Sequence, residues 1–255
     1  MFSLWVEARE DERDLLIANL WDAGATGITE EDSGALRAFF GPESEREAIA
    51  RQFREFKPVI QEEEDYDWVA HARSQWRSFP LGERFFLVPE WLDDAAPQGR
   101  LRLVMHPGMA CGSGTHPATQ LCLMAMERHI GPGDRVLDIG TGAGILADGA
   151  RLLGAEPVFG CDIEHEATVV ARSNVDTGIL LFTGSARSVR SNAVDWAVCN
   201  LNAATLGTLK TELSRIARGL ILSGFQDDET ERIAAMFKRD VREQFDLDGY
   251  GCVVL

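Results

Sequence analysis

No two cysteines in this chain stand in a CxxC pair. Cys111, Cys122, Cys161, Cys199 and Cys252 are scattered and odd in number, which argues against both a disulfide framework and a zinc site. Three of them fall inside apolar strand or helix patterns and read as small core residues. The opening MFSLWVEARE lacks a basic lead followed by a long apolar run, and no stretch approaches the length needed to span a bilayer. A reduced, cytoplasmic, soluble protein with no membrane contact is expected. Positive charge is also scarce: 25 Lys and Arg stand against 41 Asp and Glu, a net charge of −16. A nucleic-acid surface needs a basic face, so direct nucleic-acid binding is disfavoured. An acidic protein suits a basic partner, because complementary charge speeds encounter; solubility alone is the other reading of the same charge.

What the chain does contain is organised around Arg135 to Gly144, RVLDIGTGAG. Val136, Leu137 and Ile139 form the apolar body of a short strand covered on both faces, and Asp138 is the one charge inside it. Gly140, Gly142 and Gly144 then remove three side chains in five positions, which permits a tight turn whose backbone approaches a ligand closely. From Ala143 to Gly154 the apolar residues fall at helical spacing and stop at a glycine. Strand, glycine turn and helix opening together make an anion and nucleotide site, because the helix's unpaired N–H groups face the ligand. A second strand, Pro157 to Ile163, ends in Asp162, about 20 residues after the glycines, where an acid accepts hydrogen bonds from ribose hydroxyls. The spacing is GxGxG rather than GxGxxG, which disfavours a nicotinamide cofactor. These residues point to an adenosine-like ligand.

The first 63 residues follow a different logic. Phe2 to Ala8 alternates as a strand, and Arg9 to Ala23 is an amphipathic helix ended by Gly24. Thr26 to Glu30 and Ala35 to Phe40 flank the hairpin signal Asp32-Ser33-Gly34. Ser44 is expected to cap a second helix through Phe56, with Glu47 completing a capping box, and Val59 to Glu62 is a fourth strand. This β-α-β-β-α-β order is that of a ferredoxin-like α+β sandwich. The module holds no His and no Cys, and it reads as a substrate-recognition arm. Residues 64–98 read as a linker holding Trp68, Trp76 and Trp91, expected to be packing anchors.

Residues 99–255 carry the nucleotide-binding domain. Leu101 to Met105 is a strand entering the loop HPGMACGSGTHPATQL, and Pro117 fits the first position of a helix that places Thr119 in its first turn. His116 reads as the helix cap rather than a general base. Beyond Asp162, strands alternate with helices, giving a doubly wound, mostly parallel α/β sheet covered on both sides. The stretch DWAVCNLN puts Asn200 at the carboxyl end of a strand, the edge that borders the ligand crevice of an open α/β sheet.

The motif VLDIGTGAG followed by an acid-ended strand resembles the S-adenosylmethionine-dependent methyltransferases. GMACGSGTHPATQL, DYDW, SQWR, FLVPEW and Asn200-Leu201 narrow that to the bacterial methyltransferases of large-subunit ribosomal protein eleven, over nearly the whole chain. The resemblance implies a seven-stranded Rossmann-like sheet, S-adenosylmethionine as cofactor, and N-methylation of lysine or N-terminal amines of a ribosomal protein. It also implies Thr119, Gly140, Thr141, Gly142, Asp162 and Asn200 as cofactor contacts, with Asn200 also orienting the target nitrogen and no metal required. This sequence departs from the pattern at Cys111, Ser113 and Ala118, and in its DGYGCVVL ending. Three other readings stand beside this one: a methyltransferase for another protein lysine or small amine, a nicotinamide-dependent reductase, and a cofactor-binding protein without activity.

Overall fold

The structure, a computed structural model, describes residues 1–7, 12–30, 35–63, 73–107 and 114–255. It divides into two units, Met1–Gln75 and Trp76–Leu255.

In the first unit, strands β1 (Phe2–Val6), β2 (Gly27–Glu30), β3 (Leu36–Phe40) and β4 (Val59–Glu62) alternate with the helices Arg13–Asp22 and Arg46–Gln52. The sheet order β2-β3-β1-β4, with antiparallel pairing throughout, is the ferredoxin-like arrangement. Its period-2 pattern explains the packing: Phe2, Leu4 and Val6 share one buried face with Leu36, Ala38 and Phe40, and Leu16, Leu20, Ile49 and Phe53 cover it from the helices. Phe2 stacks on Phe40 with centroids 5.2 Å apart. The expected capping box is absent. Ser44 spends its backbone N–H on Gly41 O in a turn, the helix starts at Arg46, and Glu45 at its N-cap makes no side-chain bond. The Asp32-Ser33-Gly34 turn lies outside the described residues.

The second unit begins inside the stretch read as linker. β5 (Phe79–Leu81), β6 (Phe85–Pro89) and β7 (Leu101–Met105) form a three-stranded sheet. Residues 76–98 therefore fold with the cofactor domain, because β6 pairs in parallel with β7 from Phe85↔Leu101 to Pro89↔Met105. β5 escaped the sequence reading because it holds Pro80, which a sheet tolerates on an edge strand. Trp76 and Trp91 meet edge to face at 5.8 Å, and Trp76 packs on the core; Trp68 lies outside the described residues.

The main sheet comprises β8 (Val136–Ile139), β9 (Val158–Asp162), β10 (Leu180–Thr183), β11 (Val194–Asn200), β12 (Ala217–Gln226), β13 (Glu243–Leu247) and β14 (Tyr250–Val254). Their order is β10-β9-β8-β11-β12-β14-β13, parallel from β10 to β12 and closed by the antiparallel β13–β14 hairpin. Separate apolar clusters cover its two faces. One includes Leu121, Leu123 and Met126 from the helix Pro117–His129; the other includes Leu206, Leu209 and Leu213 from the helix Ala203–Ile216. Register between β8 and β11 is pinned at their entrance. The Arg135 guanidinium grips Asp195 through Nε and Nη2 at 3.0 and 2.9 Å, and the Arg135 backbone N–H adds a third bond at 3.0 Å. These bonds hold the Asp195 carboxyl down to about 2. Cys122, Cys161, Cys199 and Cys252 are free and buried, as small core residues should be. Among the described residues no helix is long and apolar enough to cross a membrane.

Candidate active site

The order of the main sheet decides where a ligand can sit. From β8 the chain steps outward to β9 and β10, then returns to lay β11 and β12 on the other side of β8. Connections therefore leave β8 and β11 in opposite directions, and a crevice opens beyond their carboxyl ends. Those ends are neighbours, with Ile139 paired to Cys199. The residue following each is Gly140 on one strand and Asn200 on the other. A cleft of about 570 Å³ opens there, lined by Gly140, Gly142, Asp162, Ile163, Asn200 and Leu201 among others.

The glycine turn is built for close approach. Gly140 has φ +75°, and a Cβ there would lie 2.7 Å from Leu201 Cδ2, so a side chain at 140 would be strained and would have to displace the leucine methyl. The turn is held to β9 by Gly140 N and Thr141 N, which donate to Cys161 O at 2.8 and 3.0 Å. Asp162 continues the clamp: its Oδ2 accepts from Gly142 N and its Oδ1 from Glu164 N, each at 3.1 Å. A carboxylate has about four acceptor positions, so both oxygens keep capacity for donors in the cleft.

Thr141 stands apart from the other turn residues. Its hydroxyl is buried and donates to Asp138 Oδ2 at 2.7 Å, and Ala147 N donates to the same oxygen at 3.2 Å. Asp138 thus ties the turn, through Thr141, to the strand below and the helix beyond, and the cleft is lined by the two glycine neighbours of Thr141. Asp138, the lone charge noticed in the strand, is the hub of this arrangement and is only 1% exposed. Burial pushes its carboxyl up to about 7 against the two hydrogen bonds, and the charge of Asp162 adds to the rise. Its Oδ1 is buried without a hydrogen-bond partner.

Thr119 and Asn200 are 81 residues apart in sequence and touch here: Asn200 Nδ2 donates to Thr119 Oγ1 at 3.0 Å. Thr119 is nearly fully buried at the start of its helix, and it bounds the cleft through Asn200 rather than lining it. His116 caps that helix as expected, Nδ1 accepting from Ala118 N at 3.2 Å, with its ring edge-on to Tyr250 at 4.6 Å. Its Nδ1 lone pair is spent on the cap, and the neutral ring's other nitrogen carries the proton. While it caps, His116 has no free lone pair with which to act as a base. Among the described residues no cluster of three His, Cys, Asp or Glu could hold a metal ion. Sequence reasoning missed Leu201 and Ile163 as cleft walls. The signal was their place, one residue after Asn200 and Asp162, since the residue following a strand end faces the same crevice. Cys111 lies outside the described residues.

The family described as "Ribosomal protein L11 methyltransferase (PrmA)" matches residues 19–248. A ribosomal protein L11 methyltransferase of Burkholderia cenocepacia (strain HI2424) is 36% identical over 203 residues, covering 77% of this chain and 67% of the relative. One from Burkholderia vietnamiensis is 36% identical over 200 residues, covering 76% of this chain and 66% of the relative. The chain thus spans about two thirds of the length of these relatives. The crystal structure of a ribosomal protein L11 methylase from Lactobacillus delbrueckii subsp. bulgaricus superposes with a TM-score of 0.62 at 26% identity, covering 70% of this chain and 97% of that one.

Proposed function

This chain belongs to the ribosomal protein L11 methyltransferase family, and from that premise we propose that it moves a methyl group from S-adenosylmethionine to amines of ribosomal protein L11. The observation that carries the reading is the convergence of Gly140, Gly142, Asp162 and Asn200 on one cleft at the sheet's switch point. Its volume, about 570 Å³, lies within the range of about 300–1,000 Å³ usual for cofactor sites. The donor set fits a nucleoside. Asp162 offers acceptors for the ribose hydroxyls, the bare backbone at Gly140 admits the methionine portion, and Ile163 gives the base an apolar wall. A net charge of −16 suits a basic ribosomal protein, and such a substrate implies work in the cytoplasm.

When bound, S-adenosylmethionine supplies an activated methyl on a sulfonium: the new N–CH3 bond forms as the S–CH3 bond breaks, sulfur keeps the electron pair, and a neutral thioether departs. The chain's residues have only to align the amine and receive it without its proton. Asn200 gives its amide N–H to Thr119, which fixes the carboxamide and leaves its carbonyl oxygen to accept from the amine. Holding reactants in attack geometry removes about 7 kcal/mol or more of a barrier in favourable cases. Asn200→Ala should therefore lower kcat by about 100-fold, a larger loss than it causes in S-adenosylhomocysteine affinity read by calorimetry. An unchanged kcat would refute the assignment of Asn200.

Among the described residues no side chain is assigned the amine's proton, and His116 is occupied by its cap. A lysine amine has an ordinary pKa of about 10.4, so kcat/KM should climb about tenfold per pH unit through the neutral range. A plateau near pH 7 would instead reveal a protein base.

A further inference from the structure

One residue of the cleft is held from two sides by glycines. β11 and β12 run in parallel register from Val194↔Ala217 to Asn200↔Ser223, and Leu201 N prolongs the ladder by donating to Ser223 O at 2.9 Å. At the next residue the pairing of β12 with β14 slips, between Ser223 and Phe225. Gly224 occupies that bulge with φ +97°, and a Cβ there would lie 2.6 Å from Leu201 N, 2.7 Å from its O and 2.8 Å from its C. All three are backbone atoms, so no rotation of a side chain relieves the clash. On its other side, Leu201 Cδ2 lies 2.7 Å from where a Cβ of Gly140 would be.

The strand carrying Gly224 is anchored on both sides of the glycine. Ser223 is buried and its Oγ donates to Gly251 O at 2.7 Å, and Phe225 is buried in the core. The segment opposite, Asn200 to Asn202, begins with the carboxamide tied to Thr119. From this geometry we propose that Gly224 and Leu201 act as a positioning pair for methyl transfer, the bare face of the glycine setting where Asn200 stands. The inference rests on the reading of Asn200 as the group that aligns the amine. Neither residue of the pair needs to touch the reacting atoms. A methyl at position 224 shifts the carboxamide, while the opposite wall, with Asp162 bonded to Gly142 and Glu164, keeps its shape.

The test is a double-mutant cycle on the full chain, with S-adenosylmethionine and purified ribosomal protein L11 as substrates, thermal unfolding run on each variant, and S-adenosylhomocysteine binding followed by calorimetry. Gly224→Ala should lower kcat about 100-fold, the penalty of a misplacement near an ångström, and hold cofactor affinity within about threefold. In an Asn200→Ala background the same change should cost nothing further, because residues acting through one another do not add. A merely structural defect would multiply with the loss at Asn200. Should Gly224→Ala fail to fold, Leu201→Ala releases the clamp from the other side without a clash. It should slow turnover about tenfold with the same lack of additivity. Losses that multiply, or an unchanged kcat in the variant that folds, overturn the inference. An unchanged kcat in Asn200→Ala alone overturns the reading beneath it.

Discussion

Asp162→Ala is expected to lose S-adenosylhomocysteine affinity by at least about 100-fold in calorimetry. A ribose presents two hydroxyls to this carboxylate, and hydrogen bonds to a charged group contribute about 1.5–3 kcal/mol each. Losing both removes about 3–6 kcal/mol, or about 10²- to 10⁴-fold in affinity. The fold should survive, because the two bonds that the Asp162 side chain makes within the protein are to the N–H groups of Gly142 and Glu164 near the cleft rim, where water can replace the lost acceptor. Asp162→Asn separates shape from charge: it keeps one acceptor and should bind with intermediate affinity. If Asp162→Ala binds as tightly as the parent, the ribose assignment is wrong and the cleft must be filled in another way.

Why so much of this site can be read in the sequence follows from its locality. The glycine turn and Asp162 belong to one strand-turn-helix-strand segment, so their meeting is set by short-range geometry, and the Asp162–Gly142 bond spans only 20 residues. Asn200 was legible because it ends a strand, and strand ends share one edge of a parallel sheet. The contact of Asn200 with Thr119 depends on where the helix Pro117–His129 packs across the sheet, and 81 residues separate the two. A period-2 or period-3.6 pattern carries no such information. Gly224 is a case of the same kind: in LILSGFQ it looks like any glycine in a strand, a hint of a bulge, and only the packed loop reveals what the bulge admits. The Ser44 capping box failed for an opposite reason. The local pattern was sound, but the turn at Gly41 had already claimed the Ser44 N–H. β5 failed because Pro80 masks a strand that lies at an edge.

Asp138→Asn is expected to gain stability relative to the parent as pH rises through neutrality. Among the described residues Asp138 has no ion-pair partner, its Oδ1 is unbonded, and burial raises its carboxyl from 3.8 to about 7. In the unfolded chain it ionises near its ordinary value, so between these two values the folded state binds the extra proton. Its contribution is therefore most favourable at low pH and is lost as pH rises through about 7. A shift of this size amounts to about 4 kcal/mol over the whole window, and about 2–3 kcal/mol of it falls between pH 5 and pH 8. Asparagine keeps an oxygen for Thr141 Oγ1 and Ala147 N, and it removes the charge. The stability of the variant relative to the parent, from urea unfolding at both pH values, should therefore rise by about 2–3 kcal/mol from pH 5 to pH 8. The Asp162 charge contributes to the rise, so in an Asp162→Ala background the swing should shrink. A difference that is flat with pH would mean that Asp138 is solvated or paired in solution, and that the hub under the glycine turn carries a charge after all.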